Sequence, residues 1–327
     1  MSRLQHTWAV VLAAGDGARL SSLTTDSDGN PVPKQFCSLN GGGSLLHEAL
    51  QRAYRIVPRE RVCAIVADQH RPYWRLELWA LPAANVIVQP SNRGTAHGVL
   101  LAVLSILDRD PLARIVFLPA DHYVADESAL AGSLRQTVNL LTRHSKGLAL
   151  VGIEPDEPDP ELGYIVPGRM LADGSYTVEQ FVEKPQPRLA SELLASGALW
   201  NSFIFAANGA SLLGLLRLRI PSSVEEMATA LARDDRSRAL AELYERLESV
   251  DFSRAVTQGA EPSLSVVAAP QCGWTDLGTP KRLADTLRRL GHTSSRPGLT
   301  EALHRSSIRA SAFIDLAAQH ARLGLST

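Results

Sequence analysis

From Trp8 to Ile153 the chain alternates short, almost wholly apolar runs with amphipathic segments, an order that few architectures accommodate. WAVVLAA (8–14), VCAIVA (62–67), NVIVQ (85–89), ARIVFLPA (113–120) and GLALVGI (147–153) read as strands. SLLHEALQRAYRI (44–56), GTAHGVLLAVLSIL (94–107) and ESALAGSLRQTVNLLTRH (127–144) carry apolar residues at helical spacing. A strand with no polar face must be covered on both sides, and a helix between neighbouring strands makes them parallel. The pattern predicts an α/β fold with a mostly parallel central sheet flanked by helices. Ligands of such sheets sit at the carboxyl ends of the strands, so the functional residues are expected along one edge.

The second half is more mixed. GYIVPG (163–168) and SYTVEQFVEKP (175–185) read as a small antiparallel excursion. LWNSFIFAA (199–207) and SLSVVAAP (263–270) read as further strands, and helices are expected over 209–217, 222–233, 236–248 and 279–290. GHTSSRPG (291–298) is a polar, turn-rich linker. Beyond it, 299–327 is expected as a helical C-terminal appendage.

Apolar residues make up 45% of the chain and charged residues 20%, enough for a substantial core. The formal net charge of −1 gives no broad basic face, so no nucleic-acid partner is expected. No apolar run approaches the roughly 20 residues that span a bilayer, and MSRLQHTW lacks the apolar core of a signal peptide, so no membrane is expected either. Cys37, Cys63 and Cys272 are odd in number and far apart, which favours small buried thiols in a reducing cytoplasm.

Directly after the first strand stands Gly15-Asp16-Gly17-Ala18-Arg19-Leu20. Glycines there let backbone N–H groups approach an anion without a Cβ in the way. A dinucleotide fingerprint needs a third glycine where Leu20 stands, and no GK[ST] of a Walker loop follows. A plain strand-to-helix turn accounts for the glycines equally well. Downstream, Pro33-Lys34-Gln35 adds a compact cation suited to phosphate oxygens.

LAAGDGARL, then PKQF and SLLHEALQRA, resembles the signature of the sugar-1-phosphate nucleotidyltransferases, and is most similar to the mannose-1-phosphate guanylyltransferases. The resemblance continues in order through QPSNRGTAHG (89–98), LPADHYV (118–124), GYI (163–165), FVEKP (181–185), WNSFIF (200–205) and GWTDLG (273–278). It covers roughly residues 8–290, and the ordered series makes it specific. It implies a Rossmann-like sheet of the nucleotide-diphospho-sugar transferase type in a 1–290 domain, without a C-terminal β-helix.

The implied reaction joins GTP to mannose 1-phosphate, giving a nucleotide sugar and pyrophosphate, with Mg²⁺ as cofactor. Leu12, Ala13, Ala14, Gly15, Gly17, Arg19 and Lys34 are implied to hold the triphosphate, with Arg19 and Lys34 neutralising the leaving pyrophosphate. Gln89, Pro90, Asn92, Gly94 and Thr95 are implied for the base. Gly163, Tyr164, Glu183 and Asn201 are implied for the sugar, and Lys184 for its phosphate. Asp121 and Asp276 are implied as the metal ligands, oxygen donors suited to a hard cation.

Taken from the residues alone, Asp121 is equally a turn cap, Asp276 an Asx-turn ahead of a helix, and Lys184 a surface ion-pair partner. His122 follows Asp121, but an existing phosphate anion needs no general base, so it is read as structural. Phe203 stands where the family carries a small residue, which leaves the sugar open. A different sugar phosphate or nucleotide, or a non-catalytic nucleotide-sugar-binding protein on the same fold, remains an alternative. A homo-oligomer also stays open, with the 299–327 tail as its potential interface.

Overall fold

The computed structural model describes residues 5–17, 20, 23–25, 30–39, 41–143 and 147–290. The expected linker at 291–298, the appendage at 299–327 and the side chain of Arg19 lie outside them.

β1 (Thr7–Ala13) is apolar from Trp8 onward because both of its faces are covered. Ala9, Val11 and Ala13 enter one core cluster, Trp8 and Val10 the other. β2 (Val62–Ala67), β3 (Val86–Gln89) and β4 (Arg114–Pro119) join β1 in the order β3-β2-β1-β4, parallel throughout. β8 (Leu199–Asn208) then lies antiparallel between β4 and β5 (Leu148–Ile153). β9 (Leu264–Ala268) pairs parallel to β5. β6 (Tyr164–Met170) and β7 (Tyr176–Val182) form the expected antiparallel excursion, and β6 returns to β8 at Tyr164 and Ile165. The described residues thus build one nine-stranded, mostly parallel sheet.

Helices cover both faces. α1 (Leu45–Tyr54), α2 (Arg71–Glu77), α4 (Glu127–Arg143) and α5 (Pro187–Ala195) share the cluster of Ala9 and Val11. α3 (Thr95–Leu107), α6 (Gly209–Arg219), α7 (Pro221–Leu231) and α8 (Arg236–Arg246) share that of Trp8 and Val10. α9 (Pro280–Arg289) docks through Leu283 and Leu287 against Leu20, Leu39, Leu45 and Leu277, a third small cluster beside the glycine turn. Three helix starts carry side-chain caps: Ser44 Oγ accepts from His47 N at 3.0 Å, Asp126 Oδ1 from Ser128 N and Ala129 N at 3.0 Å each, and Thr279 Oγ1 from Arg282 N at 3.3 Å.

α2 and α5 stand where the sequence pattern predicts no element. α2 buries Trp74 but no full apolar stripe, so its periodicity is weak. The readable signal in both is a proline in the first turn, where the missing N–H costs nothing. Among the described residues no helix is long and apolar enough to cross a membrane.

Candidate active site

At the carboxyl ends of the parallel strands lies a cavity of about 390 Å³. Leu12, Ala14, Gly15 and Gly17 line it from the end of β1, and Gln89, Asn92, Gly94 and Thr95 from the β3–α3 junction. Asp121 enters from beyond β4, Gly163, Glu183 and Asn201 from the excursion and β8, and Asp276 from the segment before α9. A second hollow of about 300 Å³ shares Gly17, Asn92 and Asp121 with it and adds Asp16 and Lys34.

The two glycines of the turn do different work. A Cβ at Gly15 would meet nothing within 4 Å, so its backbone is open to an approaching group. Gly17 has φ +63°, and a Cβ there would stand 3.0 Å from the Lys34 backbone nitrogen. Gln35, buried in the following 3₁₀ turn (Lys34–Phe36), donates through Nε2 to Ala13 O at 3.1 Å and Gly15 O at 2.7 Å. PKQF therefore braces the turn from beneath through its glutamine, which sequence reasoning passed over in favour of Lys34.

Asp121 and Asp276 meet in this one cavity, and Lys34 ties their segments together. Its Nζ lies 3.1 Å from Asp121 Oδ2 and donates to Asp276 O at 2.6 Å and Leu277 O at 3.4 Å. Behind them Tyr123 and Thr275 form a β-bridge, each N–H reaching the other's carbonyl at 2.9 Å. Asp276 makes the Asx-turn expected of it, Oδ1 accepting from Gly278 N at 3.0 Å, and Oδ1 also accepts from Arg282 Nη1 at 2.6 Å. Burial opposes the charge of both carboxylates. Lys34 beside Asp121, and Arg282 beside Asp276, overcome it and hold both below the usual range.

His122 is buried, and burial pushes its imidazole down to about 4 although Asp121 pulls the other way. Trp274 Nε1 donates to His122 Nδ1 at 3.3 Å, which leaves Nε2 as the protonated nitrogen, 3.5 Å from Asp121 Oδ1. It is neutral and lines the cavity beside Asp121.

As a metal site, the pair offers two ionised carboxylates, with no cluster of three or more His, Cys, Asp or Glu among the described residues. Zinc favours nitrogen and sulfur donors in a closed set; a hard cation that completes its shell with phosphate oxygens and water fits two carboxylates.

At the far end of the cavity Gly163 is fixed by its neighbours. Its carbonyl accepts from Asn201 N at 2.8 Å, and a Cβ would fall 2.6 Å from Glu183 Oε2. Burial and the nearby Asp251 raise the Glu183 carboxyl to about 7 against the pull of Lys184 and Arg254. Asp251 and Ser253 also line the cavity; Ser253 opens a π-helical turn (Ser253–Thr257), a rare conformation frequent at functional sites, and Asp251 stands just before it. Asn201 Nδ2 donates to Ser253 Oγ at 3.3 Å. DFSRAVTQ (251–258) holds none of the residues expected at the site from the sequence; the fold alone brings Asp251 and Ser253 to the cavity.

Phe203 lines the same wall at φ +56°, edge-on to Phe205 and Phe252. The non-glycine residues at positive φ among those described are Lys184, Phe203 and Leu277, all inside or beside the site's motifs. Strain held at three such places is characteristic of a binding site.

Several expected residues also have contacts within the protein or stand off the cavity lining. Ala13 points into the core, since alternation along β1 gives the cavity side to Leu12. Tyr164 is fully buried, its hydroxyl accepting from Asp159 N at 2.8 Å. Pro90 and Lys184 fall outside the lining of both hollows, and the Lys184 side chain is exposed. Asn92 uses both ends of its amide, Nδ2 donating to Asp16 Oδ2 at 2.9 Å and Oδ1 accepting from Gly94 N at 3.0 Å. Thr95 Oγ1 accepts from Phe252 N at 2.8 Å. Gln89 is buried, with Oε1 accepting from the Tyr244 hydroxyl at 3.2 Å.

A family model described as nucleotidyl transferase matches residues 8–292. The chain is 31% identical over 290 residues to mannose-1-phosphate guanylyltransferase of Escherichia coli, covering 83% of this chain and 58% of that protein. It is 30% identical over 287 residues to mannose-1-phosphate guanylyltransferase RfbM of Salmonella typhimurium, covering 84% of this chain and 58% of the relative. The chain thus spans well under two thirds of the length of these curated relatives. Among solved structures, the mannose-1-phosphate geranyltransferase of Thermus thermophilus superposes with a TM-score of 0.73 at 30% identity, over 90% of this chain and 81% of that one.

Proposed function

The chain belongs to the nucleotidyl transferase family, and from that premise we propose that it joins GTP to mannose 1-phosphate, with Mg²⁺ between them. The observation that carries the reading is the meeting of Asp121 and Asp276, distant in sequence, in one cavity across Lys34. The names of the relatives support the choice of nucleotide and sugar.

In this reading a phosphate oxygen of mannose 1-phosphate attacks the α-phosphorus of the triphosphate in line. The bond from that phosphorus to the β-bridging oxygen breaks, and pyrophosphate leaves with the electron pair. The nucleophile is already an anion, so no side chain has to take a proton, in keeping with a buried, neutral His122. Catalysis is then positioning and charge stabilisation. Held by Asp121 and Asp276, Mg²⁺ would supply charge neutralisation between two phosphorylated ligands. The Leu12–Gly17 turn receives the triphosphate, with Arg19 and Lys34 as its cations. Gln89 and the Gly94–Thr95 backbone face the base. Gly163, Glu183 and Asn201 receive the sugar hydroxyls, and Lys184 reaches for the sugar phosphate from the rim. The free cysteines suit a cytoplasmic enzyme.

The test is a matrix of nucleoside triphosphates against sugar 1-phosphates, scored by pyrophosphate release. GTP with mannose 1-phosphate is expected to turn over with Mg²⁺ and to stop with EDTA. Silence across the whole matrix would reject the activity. A stronger signal from another sugar would move the specificity and point to Phe203, which narrows the sugar wall with an aromatic ring.

A further inference from the structure

The side chain between the two glycines of the turn is a carboxylate. In a cleft read as a triphosphate site, a fixed negative charge opposes the ligand, yet Asp16 lines the hollow next to Lys34 and Asp121. Its contacts explain why it is tolerated. Oδ1 accepts from Gln69 Nε2 at 2.7 Å and lies 3.5 Å from His70 Nε2; Oδ2 accepts from Asn92 Nδ2 at 2.9 Å. Gln69 and His70 belong to the 3₁₀ turn that follows β2 (Asp68–His70), and Asn92 to the loop that follows β3. One carboxylate therefore joins the loops after three adjacent parallel strands, β1, β2 and β3.

The connection runs further at both ends. Asn92 hands it on through Oδ1 to Gly94 N, at the start of α3. His70 stands edge-on to Phe36 of the PKQF turn, with ring centres 6.0 Å apart, and Phe36 stacks on Tyr73 of α2 at 5.3 Å. Asp16 itself is partly open to solvent, its side chain 45% exposed, so the core does not depend on it.

We propose that Asp16 is a positioning residue, a clasp that fixes the glycine turn against the 89–95 loop and so presets the width of the nucleotide cleft in the empty protein. This rests on the nucleotide reading above. The clasp and a plain surface charge predict opposite signs. Removing a like charge from an anion site tightens anion binding; removing a clasp loosens the loops and weakens it.

The experiment compares wild type, Asp16→Ala and Asp16→Asn by two readouts. The first is hydrogen exchange of residues 89–98 in ligand-free protein. The second is affinity for GTP with Mg²⁺ by calorimetry, repeated with ATP, CTP and UTP, beside the KM for mannose 1-phosphate. Asp16→Ala is expected to speed exchange in that loop and to weaken nucleotide binding about tenfold, the scale of losing charge-assisted hydrogen bonds. The melting temperature and the KM for mannose 1-phosphate should stay put. Asp16→Asn keeps an acceptor for one arm and, with the partner amide turned over, a donor for the other, so it should restore binding to within a few-fold. Unchanged exchange in Asp16→Ala, or tighter nucleotide binding, overturns the clasp while the functional reading stands. Faster exchange in a protein that binds none of the four nucleotides keeps the clasp and rejects the functional reading.

Discussion

Glu183 is a carboxyl that the fold would rather keep protonated. Its value of about 7 lies above the ordinary 4.5, so between those values the folded chain holds a proton that the unfolded chain has released. Stability therefore falls as pH rises through that window. Glu77, hydrogen-bonded by Ser44 and raised by burial to about 7, acts with the same sign. His122, lowered to about 4, acts with the opposite sign over an overlapping range, so the bare stability curve mixes them. The difference between Glu183→Gln and wild type isolates one group. Urea midpoints at pH 5 and pH 8 should show the variant gaining on wild type as pH rises, by up to ~3 kcal/mol and less to the degree that solvent reaches the carboxyl. A second residue gives a steric test. Gly94 has φ +84°, and a Cβ would fall 2.3 Å from Val250 O. Gly94→Ala should lower stability by about 1–3 kcal/mol in thermal melts and displace the 249–253 segment that carries Asp251.

At the level of elements, α9 is the support behind Asp276. Arg282 on its first turn reaches Asp276 Oδ1 at 2.6 Å and Asp159 Oδ2 at 2.8 Å and lies over the Trp200 ring at 4.6 Å. Asp159 in turn accepts from Glu161 N at 2.6 Å, next to the loop that brings Gly163. Arg282→Met strands two buried carboxylates and should cost about 3–5 kcal/mol of stability in urea unfolding. Asp159→Asn in the same background should recover part of the loss, because one stranded charge is gone. None of this network was legible in TPKRLADTLRRL, which showed a helix and no partner. The strands were legible, since burial on both faces makes WAVVLA and VCAIVA read apolar throughout. The meeting of Asp121 with Asp276 was legible as an expectation because LPADHYV and GWTDLG follow in a recognisable order. What a single chain does not spell out is which side chain faces which. Lys34 looked like a phosphate cation and is also a strut between aspartate segments; Asn92 looked like a base contact and is committed to Asp16 and Gly94. β8 gave itself away as a strand, yet its antiparallel insertion between β4 and β5 depends on pairings far away in sequence.

Over the whole molecule, the site is assembled from segments between Leu12 and Asp276, so it exists only while the entire sheet does. A ligand that binds this cavity binds the folded state alone, and its binding energy must appear as global stability. GTP with Mg²⁺ at about a hundred times its dissociation constant should add ~2.7 kcal/mol, visible as a rise in the melting temperature. GTP with EDTA should give a smaller rise, because the triphosphate would then face Asp121 and Asp276 with no divalent charge between them. Asp121 decides the point when each protein is compared with itself, with and without Mg²⁺: its side chain is 41% exposed, and Lys34 keeps the Asp276 and Leu277 carbonyls when it is altered. Asp121→Asn, which takes the carboxylate from the buried Lys34, should melt below the wild type when empty, lose the extra rise that Mg²⁺ gives, and release no pyrophosphate. An Asp121→Asn protein with the full Mg²⁺-dependent rise would show that the cation is held elsewhere, and the pairing of the two aspartates would then be a feature of the fold rather than of the chemistry.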